Sequence, residues 1–173
     1  MTARFDIRAA RPADAAIIAW HRARMFQDMG DVPPALFDEL RTTSQAYIGE
    51  ALARHEYVGW LASPAADPDT VVAGAGAQLR RAFPHMLKLP AGPVVAQGRH
   101  AIVLNVFTEP EWRRQGVGEL LMRQVIAWAR EEQLDRLVLH ASPHGRPLYE
   151  RLGFQGTNEM RFQGILRGFK DEP

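Results

Sequence analysis

A chain of 173 residues with 46% hydrophobic content can bury one continuous core unaided and is too short for two large domains. Its 21 Lys and Arg against 20 Asp and Glu leave a formal net charge of +1, so no bulk field draws it to nucleic acid or to an anionic membrane. Without cysteine, disulfide scaffolds, thiolate zinc sites, iron–sulfur clusters and a cysteine nucleophile are excluded together. The opening MTARFDIRAARPAD is charged throughout, with no apolar signal core, and Asp, Arg, Lys and Pro interrupt every later apolar run; neither a secretory signal nor a membrane span is expected. The expectation is a single cytoplasmic domain over 1–173.

In chain order, Phe5 to Ala10 alternates as a short strand, and Pro12 with Asp14 opens a helix over 12–28. Ala16, Ala19, Trp20 and Ala23 give that helix one apolar stripe, and Gly30 is placed to end it. Arg11 stands where a capping Ser, Thr or Asp is usual. After the turn DMGDVPP, a second helix runs from about Pro34 to Arg54, with Phe37, Leu40, Tyr47, Ile48 and Ala51 on its inner side. Tyr57 to Ala62 and Val71 to Arg80 are β-rich runs parted by SPAADPD, and they read as antiparallel partners. Three prolines and two glycines make 82–98 an irregular excursion.

The run AIVLNVF at 101–107 reads as a buried strand, TEPEWRRQ as a turn, and Gly116 to Gln133 as a strongly periodic helix with Val117, Leu120, Leu121, Val125 and Trp128 inward. Arg136 to Ser142 reads as another strand, followed by a short helix through Leu148, Tyr149 and Leu152 that stops at Gly153. Strand, helix, strand implies a parallel crossover. Phe154 to Leu166 has room for two closing strands.

The turn RRQGVG at 113–118 joins a strand to a helix. Its glycines let the backbone approach a ligand and leave N–H groups unpaired at the helix N-terminus, which suits an anion; a tight turn with a solvated arginine pair is the competing reading. Two known phosphate motifs fail. Gly118-Glu119 lacks the Lys and Ser or Thr of a P-loop, and Leu121 stands where the dinucleotide fingerprint needs a third small residue.

Two motifs at proper separation are more specific. Arg113-x-x-Gly116-x-Gly118 resembles the pyrophosphate-binding motif of the GNAT superfamily of acyl-CoA-dependent N-acetyltransferases, and Tyr149-Glu150-x-Leu152-Gly153-Phe154 resembles its C-terminal motif. The resemblance covers about 101–154, with compatible elements upstream. It implies an α/β (α+β) fold with a mixed, mostly antiparallel sheet of about six to seven strands flanked by about four helices, in the order β-α-α-β-β-β-α-β-α-β-β.

The same resemblance implies an acyltransferase that uses acetyl-CoA as cosubstrate and acetylates a primary amine of a small molecule or peptide by direct attack in a ternary complex. Backbone N–H groups from Arg114 through Gln115, Gly116, Val117 and Gly118 to Glu119, led by Arg113, would receive the pyrophosphate. Backbone groups of Val106, Phe107 and Thr108 would pair with the pantetheine arm as an added strand, and one N–H would polarise the thioester carbonyl. Tyr149 would be the acid that protonates the leaving thiolate. The sequence departs from the family at Ser142, where many members carry a pantetheine-binding Asn.

No general base stands out. Glu109, Asn105 and His140 are candidates, each with an ordinary turn, core or solvent role as its alternative; His140 and His144 sit around Pro143 in a poor helix, so no metal is expected. For the acceptor, Asp28, Asp31 and Glu159 would attract a cationic amine beside Met25, Phe26 and Met29. Two readings compete with the enzyme: a non-catalytic acyl-CoA-binding or sensing module of the same fold, and an interaction protein that has lost the cofactor. Exposed apolar residues of the late strands or of 82–98 offer a surface for a homodimer.

Overall fold

The computed structural model describes residues 4–160. These divide into two compact units, the boundary falling between His140 and Ala141. The first holds β1 (Phe5–Ala9), α1 (Ala15–Asp28), α2 (Phe37–Ala53), β2 (Tyr57–Pro64), β3 (Ala73–Arg81), β4 (His85–Leu89), β5 (Gly92–Ala96), β6 (Arg99–Thr108), α3 (Val117–Glu131) and β7 (Arg136–Val138). The second holds α4 (Arg146–Arg151). No helix of the described residues is long and apolar enough to cross a membrane.

Five strands form one sheet in the order β1-β2-β3-β6-β7, antiparallel except for the parallel pair β6 and β7. The two parallel strands are joined through α3, as a crossover requires. Successive side chains of β2 serve opposite faces. Leu61 enters the cluster built by Ala15, Ile18 and Ala19 of α1 with Ile48, Ala51 and Leu52 of α2. Trp60 meets Trp128 of α3 at 5.8 Å between ring centroids. The helices therefore cover the sheet from both sides.

Helix α3 carries the clearest amphipathic pattern, burying Val117, Leu121, Met122, Val125 and Ala129. Each large side chain so buried contributes about 1.5–3 kcal/mol relative to exposure. Leu120, expected inside, is exposed, and Met122, two residues on, is buried in its stead. In α2, Ile48 and Ala51 are buried as expected, whereas Tyr47 is exposed. The missing cap before α1 has a local replacement. The Asp14 carboxylate accepts the Arg11 N–H at 2.8 Å and a two-pronged contact from Arg8 at 2.7 and 2.8 Å, and this arginine holds the acid below the usual carboxylate range.

Three expectations are corrected. The excursion at 82–98 contains the β4–β5 hairpin, with His85 opposite Ala96 and Leu89 opposite Gly92. The strand expected over 136–142 ends at Val138. Residues 154–160 contain no strand, and the remainder of the expected closing pair, to Leu166, lies outside the described residues.

Candidate functional site

The early end of β7 creates the first element of the site. It pairs with β6 only through His100, Ala101 and Ile102, so among the described residues the outer edge of β6 is open over 103–108. A bulge then bends this edge. Gly76 of β3 faces Leu104, while Gly74 faces Phe107, so Asn105 and Val106 together oppose Ala75. Asn105 adopts φ +57°, a conformation that Asn tolerates better than most residues. Beyond the bulge the Glu109 N–H donates to Val72 O at 2.9 Å. Strand alternation therefore turns the backbone groups of Phe107 toward β3 and those of Val106 and Thr108 toward the open edge. The Thr108 carbonyl is already occupied by Arg113 Nε at 2.9 Å.

The second element is the turn into α3. Arg114 has φ +62° and Gly116 φ +85°, and a Cβ on Gly116 would meet nothing within 4 Å. The glycine is thus needed for its backbone conformation rather than for space. Among the described residues, none of the N–H groups of 114–118 has a hydrogen-bond acceptor, whereas the Glu119 N–H donates to Gly116 O at 3.1 Å. Successive free donors at a helix start form a concavity suited to an anion. Arg113 serves this turn from behind: its guanidinium pairs with Asp28 of α1 and lies 5.6 Å from the Phe107 ring centroid. Gln115 Nε2 donates to Glu111 O at 3.0 Å, Val117 is buried in the core, and the Glu119 carboxylate receives Arg123.

On the α1 and α2 side of the bulge stands a network unexpected from sequence. Asn105 Nδ2 donates to the Tyr57 hydroxyl at 3.0 Å, and Arg22 Nη1 of α1 donates to Asn105 Oδ1 at 2.8 Å. Burial pushes the Tyr57 phenol up to about 12. Beside it lies His21, 1% exposed, its ring 5.1 Å from that of Phe107. Glu109 Oε1 is 3.7 Å from His21 Nε2, beyond a hydrogen bond, and 3.4 Å from Trp20 Nε1. Burial depresses His21 to about 4, so at neutral pH the ring is uncharged and the contact with Glu109 is not an ion pair.

These residues had a readable signal. AGAGA at 73–77 sets Gly74 and Gly76 on one face of β3, a sign of close approach by something large. A Cβ on Gly76 would overlap the Tyr57 phenol and lie 2.7 Å from Val58 O; one on Gly74 would lie 3.1 Å from Leu61 and 3.4 Å from His21 Nδ1.

In the second unit, Tyr149 of α4 is half-buried, its ring edge-on to Phe154 at 6.1 Å. Phe154 N donates to Tyr149 O at 3.0 Å around Gly153, which has φ +93°, so the motif Leu-Gly-Phe is the helix stop. Burial raises the Tyr149 pKa and the phenol stays protonated at neutral pH. Ser142 lies in the turn before α4, not in a strand, and its Oγ accepts the Gly145 N–H at 3.2 Å. Its hydroxyl already has a local partner. His140 ends the first unit, and His144 lies in the turn before α4. Of the expected acceptor-side acids, Asp28 is engaged by Arg113, Asp31 is exposed in the turn after α1, and Glu159 lies in the segment after Gly153. Phe26 lies under Arg22, Met25 is partly buried and Met29 exposed.

The chain is similar to known proteins. The profile of the acetyltransferase (GNAT) family matches residues 16–154. A GCN5-related N-acetyltransferase from Ralstonia eutropha JMP134 is 27% identical, with TM-score 0.78 over 91% of this chain and 97% of that one. A predicted acetyltransferase from Clostridium acetobutylicum, solved with acetyl-CoA, is 25% identical, with TM-score 0.76 over 96% and 99% of the two chains. An uncharacterised N-acetyltransferase of Gracilaria tenuistipitata var. liui is 34% identical over 55 residues, a stretch spanning 32% of this chain and 30% of that relative. The strand edge opened at a bulge, the donor-lined turn into α3 and these likenesses agree: the chain belongs to the acetyltransferase (GNAT) family.

Proposed function

We propose that the protein transfers an acetyl group from acetyl-CoA to a primary amine by direct attack in a ternary complex. The observation that carries this reading is the run of free N–H donors at 114–118 beside the open edge of β6. A pyrophosphate needs several donors without competing acceptors, and the helix start supplies them together with its dipole. An extended pantetheine arm needs an unpaired strand edge, and the Val106 groups offer one. The Clostridium relative solved with acetyl-CoA supports the same cosubstrate.

In the reaction the amine nitrogen bonds to the thioester carbon, the carbon–sulfur bond breaks, the nitrogen gives up a proton and the sulfur gains one. The outward N–H of Val106 or Thr108 polarises the carbonyl oxygen. Tyr149, uncharged at neutral pH, protonates the sulfur, the role the family resemblance assigns to it. Glu109, which follows β6 and lies beside Trp20 and His21, is the candidate for accepting the amine proton through water.

Calorimetric titration with acetyl-CoA and free coenzyme A, with ATP as control, tests the site, and thiol release across a panel of amines tests the chemistry. Tyr149→Phe should lower kcat about 100-fold while acetyl-CoA affinity holds. An unchanged rate would remove Tyr149 from catalysis, and saturable binding with no turnover on any amine would favour a sensing module.

A further inference from the structure

On the α1 and α2 side of β6 the protein holds a cavity of about 330 Å³. Its floor is Leu104, Asn105 and Tyr57, α2 supplies Ser44 and Tyr47, and Arg22 of α1 reaches its wall. The size lies at the lower end for small-molecule sites. It suits a compact metabolite rather than a folded chain.

The polar lining of this cavity is Arg22, the hydroxyls of Thr43, Ser44, Tyr47 and Tyr57, and the amides of Gln78 and Asn105, with no carboxylate among them. Arg22 spends one N–H on Asn105 at 2.8 Å, and its guanidinium carbon sits 4.9 Å from the Phe26 ring centroid. Among the described residues no carboxylate pairs with it. Of the acids of α1 and α2, Asp28 pairs with Arg113, Asp38 with Arg41 and Glu50 with Arg54, and Glu39 is exposed and does not line the cavity. Burial works against the charge of Arg22, yet a guanidinium stays protonated in proteins. The Tyr57 oxygen accepts from Asn105 and the Tyr47 oxygen accepts from Gln78 at 2.8 Å, so both phenols keep their hydrogens to donate. The Ser44 hydroxyl adds a further donor. A half-buried cation with unused donors, in a cavity lined by hydroxyls and amides and no acid, is matched by an anion on the ligand.

We propose that this cavity is the acceptor site and selects a small amine that carries a carboxylate, with Arg22 and the Tyr57 and Tyr47 hydroxyls holding the carboxylate. This rests on the acetyltransfer reading given above. Asn105 joins the two functions, because it anchors Arg22 and also forms the bulge next to the Val106 groups. A carboxylate fixed at Arg22 leaves the amine of the same small molecule to reach the strand edge. The acidic residues Asp28, Asp31 and Glu159 are then not the recognition groups, and di- and polyamines are poor acceptors.

The test compares amino acids with their carboxamides, and with amines lacking any acid group, by thiol release in the full-length protein. Expected is a preference of at least about tenfold in kcat/KM for the carboxylates, the scale of one charge-assisted hydrogen bond. In Arg22→Gln that preference should collapse through KM, the carboxylates losing far more than the carboxamides, while acetyl-CoA affinity holds. Arg22→Lys, which keeps the charge, should retain part of it. Equal rates on carboxylates and carboxamides in the wild type overturn the proposal without any variant, and so does an equal loss on both in a folded Arg22→Gln. If no amine is acetylated although acetyl-CoA binds, the acetyltransfer reading has failed. The anion site is then judged by calorimetry with N-acetyl amino acids, whose saturable binding, lost in Arg22→Gln, upholds it and whose absence overturns it.

Discussion

The turn at 113–119 and the cavity floor around Asn105 flank the same stretch of β6, yet they are built on opposite plans. The turn works through backbone: what matters is two left-handed residues, Arg114 and Gly116, and N–H groups aimed outward. Its side chains are devoted to holding the turn, as Arg113 does through Asp28, Thr108 and Phe107. The cavity works through side chains brought from distant positions, namely 22, 47, 57 and 105, and its backbone is ordinary except at the bulge. A ligand part common to many relatives can be met by a backbone plan, because any sequence with the right glycines reproduces it. A ligand part peculiar to one protein needs side chains, and these can change without disturbing the sheet.

This contrast predicts different penalties. The largest belongs to the cavity floor. Tyr57 lies over the register-paired glycines Gly59 and Gly76, and its ring, 5% exposed, can yield only toward the cavity it floors. Gly76→Ala should cost about 3 kcal/mol or more, because it overpacks a rigid ring and backbone and also strips the Tyr57 hydroxyl from Asn105. Urea unfolding measures the loss, and coenzyme A binding by the folded fraction should persist. A loss under about 1 kcal/mol would mean that the phenol is not held.

A similar but pH-dependent effect comes from His21. The folded state holds it neutral with a pKa of about 4, against 6.5 for the free side chain. Between these values the unfolded chain binds the extra proton, so stability falls as pH drops below about 6.5 and stops falling below about 4. The full difference amounts to about 3 kcal/mol. Chemical denaturation from pH 7.5 to 4 should show this slope in the wild type, and its difference from His21→Gln isolates the term from the carboxylates. Parallel curves would show that His21 is solvated and not sealed against Phe107.

Legibility in the sequence follows the same division. Alternation and the 3.6-residue period place β1, α1, α2, β2, β3, β6 and α3 within a few residues, because each carries its burial pattern along its own length. Gly116 and Gly153 are legible because a left-handed φ restricts the choice of residue. Arg22 and His21 were not, since a cation and a histidine on α1 look like solvated positions until Asn105 and Phe107, over 80 positions later, are packed against them. The bulge itself leaves only AGAGA and an Asn inside a strand as its trace. The β4–β5 hairpin escaped because its prolines and glycines mimic a loop; Pro93 opposes Lys88 in a two-stranded ribbon, where a missing donor costs little.

The smallest expected effect tests the backbone plan at its simplest point. At Gly116 an added methyl has open space on every side, so Gly116→Ala introduces no clash and isolates the cost of φ +85° for a residue with a Cβ. That cost is about 1 kcal/mol, and it can be met in two ways. If the turn keeps its shape, stability drops by this amount and coenzyme A affinity is unchanged. If the turn relaxes toward negative φ, stability is largely recovered while the N–H groups of 114–118 swing off their common focus, and affinity falls by about tenfold or more for each donor lost to a charged ligand. Because α3 is locked by Val117, Leu121 and Val125 and Arg113 is pinned to Thr108, the turn is held at both ends. The expected result is therefore the first, a small stability loss with binding retained. Measured against the larger loss in Gly76→Ala, it separates a site limited by chain conformation from one limited by packing.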